Sequence, residues 1–366
     1  MIITRYHNTT TLHLTVEFLT PTFLGGADQH AELRAAPFKN LLRQWWRVAV
    51  GCRYNTLEDM RKAEGDLFGS VLDESNERGK KKETEASASK VRLALTSEEG
   101  SFSFAEKKLN LRTTFHPEAR GGMDVDNALY LGFGPITYTN RQTEIKRYIM
   151  PGSKATLCLL FPKDQDSNVA ELLHYIDAFG TIGSRSRNGW GSIALSGVGF
   201  QRRDARSFAS VAVSQLFDSK QEKQYPSSLG RDNKGLLCWE TNPIEEDWDR
   251  AMTSLAAAYM NLRTSINIKP QGLKERHVLG YPVTNHPVRD WDERPDKPNS
   301  GRMPSQLRLM VKRNQKNQMV GRILHLPHKL PKKWDDKLLG QEIDIWKKIH
   351  TQLDANKQFR RCEETR

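Results

Sequence analysis

Cysteine is scarce and badly placed for cross-linking: Cys52, Cys158, Cys238 and Cys362 lie far apart in 366 residues and form no CxxC pair. That spacing argues against a structural zinc site and a disulfide framework, and it leaves buried or free thiols as the expectation. The ten histidines are scattered and show no HExxH spacing, so no metal site and no cofactor is expected. Long apolar runs are also missing. No stretch of about 18 residues suits a bilayer, and the opening MIITRYHNTT lacks the apolar core of a signal peptide. The expectation is a soluble, cytoplasmic protein with no membrane partner. Neither GxGxxG nor GxxxxGK[ST] is present, and GxSxG, a nucleophilic Cys with a nearby His, and a kinase signature are absent too.

Acid is short relative to base. Lys and Arg number 56 against 44 Asp and Glu, which gives +12 and a pI near 9.5. Such an excess suits a polyanion, because each cation set on a phosphate releases condensed counterions. With 37% hydrophobic residues the chain can still build a substantial core, in two domains or one large one.

Period-two alternation in LHLTVEFLTP (Leu12, Leu14, Val16, Phe18) predicts a half-buried strand. After the loop FLGGADQHAELRAAP, Pro37 opens a helix in which Phe38, Leu41, Leu42, Trp45, Trp46 and Ala49 fall on one face. Lys39, Arg43 and Arg47 lie on the other face. The tryptophan pair reads as core. Residues 73 to 90, DESNERGKKKETEASASK, have almost nothing to bury and predict a mobile, disordered insertion. VRLAL (91 to 95) and KATLCLLF (154 to 161) read as strands, with ARGGMDVDNALYLGFGPI between them as a glycine-punctuated loop. VAELLHYIDAF (169 to 179) predicts a helix and SIALSGVGF a strand. A second body is expected after the polar stretch 218 to 235. Its signals are a helix on Trp248, Met252, Leu255, Tyr259 and Leu262, a hairpin of LRLMV and VGRILHL, and a last helix at about 335 to 355. This mixture predicts an α+β fold, with a ferredoxin-like β-α-β-β-α-β unit as the specific expectation.

Between the 169 to 179 helix and the following strand stands FGTIGSRSRNGWGS, with Gly180, Gly183, Gly189 and Gly191. A phosphate loop for a nucleotide runs from strand to helix, so this reversed order excludes it. What remains is either a nucleic-acid contact through Arg185, Arg187 and Trp190 or a structural loop. From Arg302 to Lys333 there are nine Lys or Arg and no Asp or Glu. The expected hairpin would project Lys312, Arg313 and Lys316 from its tip, as a solvated face or a nucleic-acid contact. Asp28, with His30 and Glu32, and the pair Asp124 and Asp126 are the acidic clusters able to meet a cation, but neither has ligand spacing.

Two segments, TPTFLGGADQHAELRAAPFKNLLRQWWR and FGTIGSRSRNGWGS, resemble the signatures of the RAMP superfamily of CRISPR RNA-binding subunits. The first is similar to the family's strand, loop and apolar-Lys-x-Leu-Leu-Arg helix, and the second to its glycine-rich loop. GGAD followed by ELR and a Trp-Trp helix is closest to the first subunit of the type III-B (Cmr) effector complexes. The resemblance implies two modified ferredoxin-like (RRM-like) domains with long loops and insertions, over 1–217 and 236–366. It also implies crRNA, target RNA and the other subunits of a hetero-oligomeric effector as partners, and a noncatalytic role near the crRNA 3′ end. The alternative is a RAMP ribonuclease in which Asp28 assists a divalent-metal-dependent attack by a 2′-hydroxyl. A structural adaptor for an acidic protein is the third reading. Among implied RNA contacts are Lys39, Arg43, Arg47, Arg185, Arg187, Trp190, Lys312, Arg313 and Lys316.

Overall fold

A computed structural model describes residues 8–26, 30–70, 74–77, 80–83, 86–97, 100–109, 111–217, 228–244, 247–266, 275–281, 288, 302–328 and 341–362. Two four-stranded antiparallel sheets organise the chain. The first takes β1 (Thr9–Phe18), β2 (Arg92–Ser97), β3 (Lys154–Pro162) and β4 (Ile193–Ser196), side by side in the order β4-β1-β3-β2. Leu14 stands opposite Leu157, and Val16 opposite Ala155. Alternate residues face one side, so Leu14, Val16, Phe18, Leu157, Leu159 and Phe161 make a continuous buried surface.

Helices α1 (Ala35–Val50) and α4 (Asp166–Phe179) cover that surface. The apolar stripe of α1 is buried as its spacing predicts, Trp45 and Trp46 included. Pro37 is the third helical residue and not the first; there too no intrahelical N–H bond is required. The next helix, α2 (Leu57–Phe68), is capped by Thr56, whose hydroxyl accepts from Asp59 N–H at 3.0 Å.

The second sheet repeats the plan. Strands β5 (Cys238–Thr241), β6 (Leu307–Arg313), β7 (Met319–His325) and β8 (Phe359–Arg361) lie in the order β6-β7-β5-β8, with α5 (Trp248–Ser265) and α6 (Glu342–Asp354) between them in the chain. Leu309, Val311 and Ile323 pack with Leu255, Trp346 and Ile349 from these helices. The opposite face carries Arg308, Lys312 and Arg322 and rests on the first half. Arg308 lies over Trp45, Arg322 lies over Phe179, and Lys312 reaches the carbonyl end of α4. The α1/α4 layer is therefore shared between two sheets, and the molecule is a mixed α and β structure with several antiparallel sheets.

Three expectations change. The 119 to 136 loop contains structure: Met123–Asp126 pairs with Thr113–His116, and α3 (Asn127–Gly132) follows. Asp126, a candidate cation ligand, starts that helix by accepting from Ala128 N–H at 2.7 Å. Within the insertion expected to be mobile, Glu74–Glu77 and Lys80–Glu83 form an antiparallel ladder, closed at its root by Ser70 pairing with Ser87. The remaining residues from 73 to 85 lie outside the described set, as does 335 to 340 of the last expected helix. No helix of the described residues is long and apolar enough to cross a membrane.

Candidate nucleic-acid interface

The loop joining α4 to β4 is held along most of its length. Ser184 N–H donates to Phe23 O at 2.8 Å, and Gly191 N–H to Pro21 O at 3.1 Å, which ties it to the segment after β1. Arg187 O accepts from Leu309 N–H at 2.8 Å, and the Ser192 hydroxyl accepts from Val311 N–H at 2.9 Å, which ties it to edge strand β6. Asn188 donates to Leu131 O at the end of α3. Glycine is needed for such close approach. At Gly191, where φ is +65°, a Cβ would stand 1.7 Å from Ile182 O; at Gly183, with φ +91°, it would stand 2.6 Å from Phe23 O.

What the fastened loop leaves outside is a short turn, Ser184 to Arg187, with both arginine side chains exposed. Burial of part of each guanidinium lowers its pKa from the ordinary value, with no carboxylate among the described residues beside it to offset the effect. Two hollows flank the turn. One of ≈ 440 Å³ is lined by Gly25, Arg34, Asn40, Gln44, Gly183 and Ser186. The other, of ≈ 610 Å³, is lined by Gly26, Gly134, Lys146, Arg147, Ser184 and Arg185. The turn is thus a basic ridge between two grooves, with residues of both glycine segments at its foot. Phe133, 63% exposed, sits in the chain beside Gly134. A further hollow, of ≈ 650 Å³, near His174 and Gln315 has its arginines occupied: Arg202 by Asp177, Arg203 by Glu171.

The expected contacts separate into groups. Arg185 and Arg187 stand together on the turn. Lys39, half-buried with its amine lowered by burial and by Arg43, lies on the α2 side of α1. There Arg47 grips Glu64 through both carboxylate oxygens at 2.6 and 2.7 Å, and Arg43 pairs with the same carboxylate at 3.3 Å while donating to Gly69 O. Arg313 forks onto Glu17 at 2.7 and 3.2 Å. Lys316 is exposed at the far end of the β6-β7 hairpin, away from the turn.

Two expectations are corrected. Trp190 is fully buried, 5.5 Å from the ring of Phe23 and 6.5 Å from Trp248, so it presents no face to a base. Lys312 lies inside the strand and not at its tip, and donates to Ile176 O at 3.2 Å, Gly180 O at 2.6 Å and Ile193 O at 2.7 Å. Complete burial drives its amine well below the usual lysine value. Sequence reasoning missed Arg34, which caps α1, and Asn40 and Gln44, which lie four apart on the groove side of that helix, and it missed Phe133 in YLGFGPI.

Asp28 lies outside the described residues; around it Gly26 N–H donates to His30 O and Gly25 pairs with Ala31. Among the described residues no group of three His, Cys, Asp or Glu side chains converges as a metal site would require.

No curated protein matches the chain. Solved structures similar to it include apo Cmr1 from Pyrococcus furiosus, 18% identical over 88% of this chain and 89% of that one, with a TM-score of 0.46. Also similar are chains of the type III-B Cmr-beta complex bound to cognate target RNA. One, with AMPPnP and ssDNA also present, is 12% identical over 94% and 98% of the two chains with a TM-score of 0.44. The other is 12% identical over 93% and 100%, with a TM-score of 0.43. The RAMP superfamily model matches residues 15–194, from β1 through the glycine-rich turn and into β4. That segment, which contains both grooves' glycine loops, is the part of the chain that matches the RAMP superfamily.

Proposed function

We propose that the chain is a noncatalytic RNA-binding subunit of a type III CRISPR effector, one that holds the crRNA 3′ region and helps capture target RNA. Its two β-α-β-β-α-β halves are taken as ferredoxin-like units, since each sheet places its fourth strand beside its first and its third beside its second. The observation that carries the reading is the glycine-rich turn itself. Arg185 and Arg187 are exposed on a main chain fixed from three sides, with no carboxylate in reach among the described residues. Cations in that condition bind phosphate at little cost in reorganisation, while the glycine segments bring main-chain donors to the same backbone. Sequence would be read by guide-target pairing and not by this chain.

The test is the affinity of the full chain for single-stranded RNA across a salt series. Arg185→Ala with Arg187→Ala is expected to lower affinity and to flatten the log-log salt slope by about 1.4, at roughly 0.7 per phosphate on a single strand. An unchanged slope in a folded double variant would show that the turn serves structure alone.

A further inference from the structure

Arg308 is the basic side chain that the RNA-binding reading has left unused. It projects from the edge strand β6 onto the first half, beside Leu309, whose N–H donates to Arg187 O at 2.8 Å. Its guanidinium lies 5.7 Å from the ring centre of Trp45, itself 1% exposed. Burial, and then the neighbouring positive charge of Arg187, push the Arg308 guanidinium down to about 10, so it stays charged at neutral pH. Other sheltered arginines are answered by carboxylates: Arg276 by Glu118, Arg322 by Glu240, Arg361 by Asp232 and Asp354. Among the described residues neither Arg308 nor Arg187 has such a partner for its side chain.

Two adjacent cations, one largely withdrawn from water, are costly without an anion, because desolvation is not repaid by any opposite charge. Arg308 lies over the face of Trp45, and a planar guanidinium fork suits two phosphate oxygens. Gln44 and Ser186, the chain neighbours of Trp45 and Arg187, line the ≈ 440 Å³ groove. Arg308 thus meets the first half one residue along the chain from two groove-lining positions. A polyanion with regularly spaced charges can meet Arg185, Arg187 and Arg308 in one passage, which an isolated acidic side chain cannot.

We infer that Arg308 and Arg187 form a socket for one phosphodiester of a bound single-stranded RNA, with Trp45 as its floor. The inference rests on the RNA-binding reading and adds a residue from the second half of the chain to it. The socket makes the seam between the halves part of the binding surface.

The experiment measures binding of a fluorescein-labelled single-stranded RNA to the full chain over a sodium chloride series. Arg308→Gln is expected to weaken binding roughly tenfold at low salt and to flatten the salt slope by about 0.7. Arg308→Lys, which keeps the charge and loses the fork, is expected to retain the slope and bind with intermediate affinity, and it serves as the second test should the glutamine variant not fold. Wild-type slope and affinity in folded Arg308→Gln, with Arg185→Ala/Arg187→Ala still impaired, would overturn the socket and leave the RNA reading standing. Arg308-dependent capture of polyglutamate alongside Arg308-independent capture of RNA would assign the socket to an acidic protein and overturn it as well. Absence of any RNA binding by the wild-type chain at low salt would bring down both readings together.

Discussion

The outer face of α1 and the turn after α4 each offer two arginines, and the fold treats them in opposite ways. On α1, the buried carboxylate of Glu64 from α2 takes Arg47 in a two-pronged grip and Arg43 beside it. On the turn, Arg185 and Arg187 meet no carboxylate among the described residues, and burial lowers their proton affinity. Net charge therefore overstates what is available to a polyanion. On the RNA-binding reading, the basic residues among the 56 that would meet RNA are the ones the fold leaves without a carboxylate among the described residues. Cations already satisfied must exchange one carboxylate for one phosphate, with small net gain.

Lys312 is the extreme of the paired class and gives the largest expected effect. It joins β6 to the carbonyl end of α4 and to β4, so Lys312→Met leaves acceptors at Gly180 and Ile193 without their donor. A loss of about 2–4 kcal/mol is expected from urea denaturation, with the turn losing its anchorage as a consequence. An unaltered midpoint would mean that other donors replace the amine.

A second buried polar group lies wholly within the C-terminal half and responds to pH. His325 Nδ1 and His350 Nε2 are 2.9 Å apart, with Gln306 on the other His325 nitrogen and Trp346 stacked at 3.8 Å. Burial lowers both; His350 is pushed down to about 4, and Arg361 adds to the effect while Asp232 and Asp354 oppose it. The unfolded chain takes up these protons near pH 6.5 and the folded chain near pH 4 for His350. The stability contribution is thus complete above about 6.5 and lost as pH falls toward 4, on the order of 3 kcal/mol for His350. Melting temperature followed from pH 7 to 4 is expected to fall less steeply in His350→Gln than in wild type. Parallel curves would refute the assignment.

The comparison of arginine pairs is sharpened by exchanging the pairs as variables. Arg185→Ala/Arg187→Ala is expected to cost RNA affinity on the order of 1–2 kcal/mol and leave the melting temperature nearly unchanged, whereas Arg43→Ala/Arg47→Ala does the reverse. Titration of the same labelled RNA and thermal melts on both double variants check this. Equal losses of affinity would end the distinction.

Much of this frame was legible in the residues. The α1 stripe and the alternation of Leu14, Val16 and Phe18 reveal themselves because periodic burial leaves a periodic sequence. The loop 180 to 192 has no period, so nothing in it marks Trp190 as core and Arg185 as exposed. In LRLMVKR the alternation is visible, yet it does not say that α4 lies against the face carrying Lys312. Glu64 and Glu17 were missed as partners for a related reason: they come from α2 and β1, and pairing over such separations is a property of packing. That Arg308 has no carboxylate among the described residues is likewise a property of packing and not of its own segment.

The smallest expected effect concerns Asp28. Gly25 and Gly26 line the hollows beside the turn, and Asp28, two residues on in the chain, lies outside the described residues. Proximity to RNA is not chemistry: general acid-base or metal-assisted attack needs a group set at hydrogen-bond range of the reacting 2′-hydroxyl. If the chain is a binding subunit, Asp28→Ala in the assembled complex leaves target-RNA cleavage at the wild-type rate and changes affinity by less than about 0.5 kcal/mol, the ordinary range for a substitution that removes no packed or paired group. Loss of cleavage with RNA binding intact would instead place the chain among ribonucleases, and would make the basic turn the clamp that presents the strand to the acidic loop.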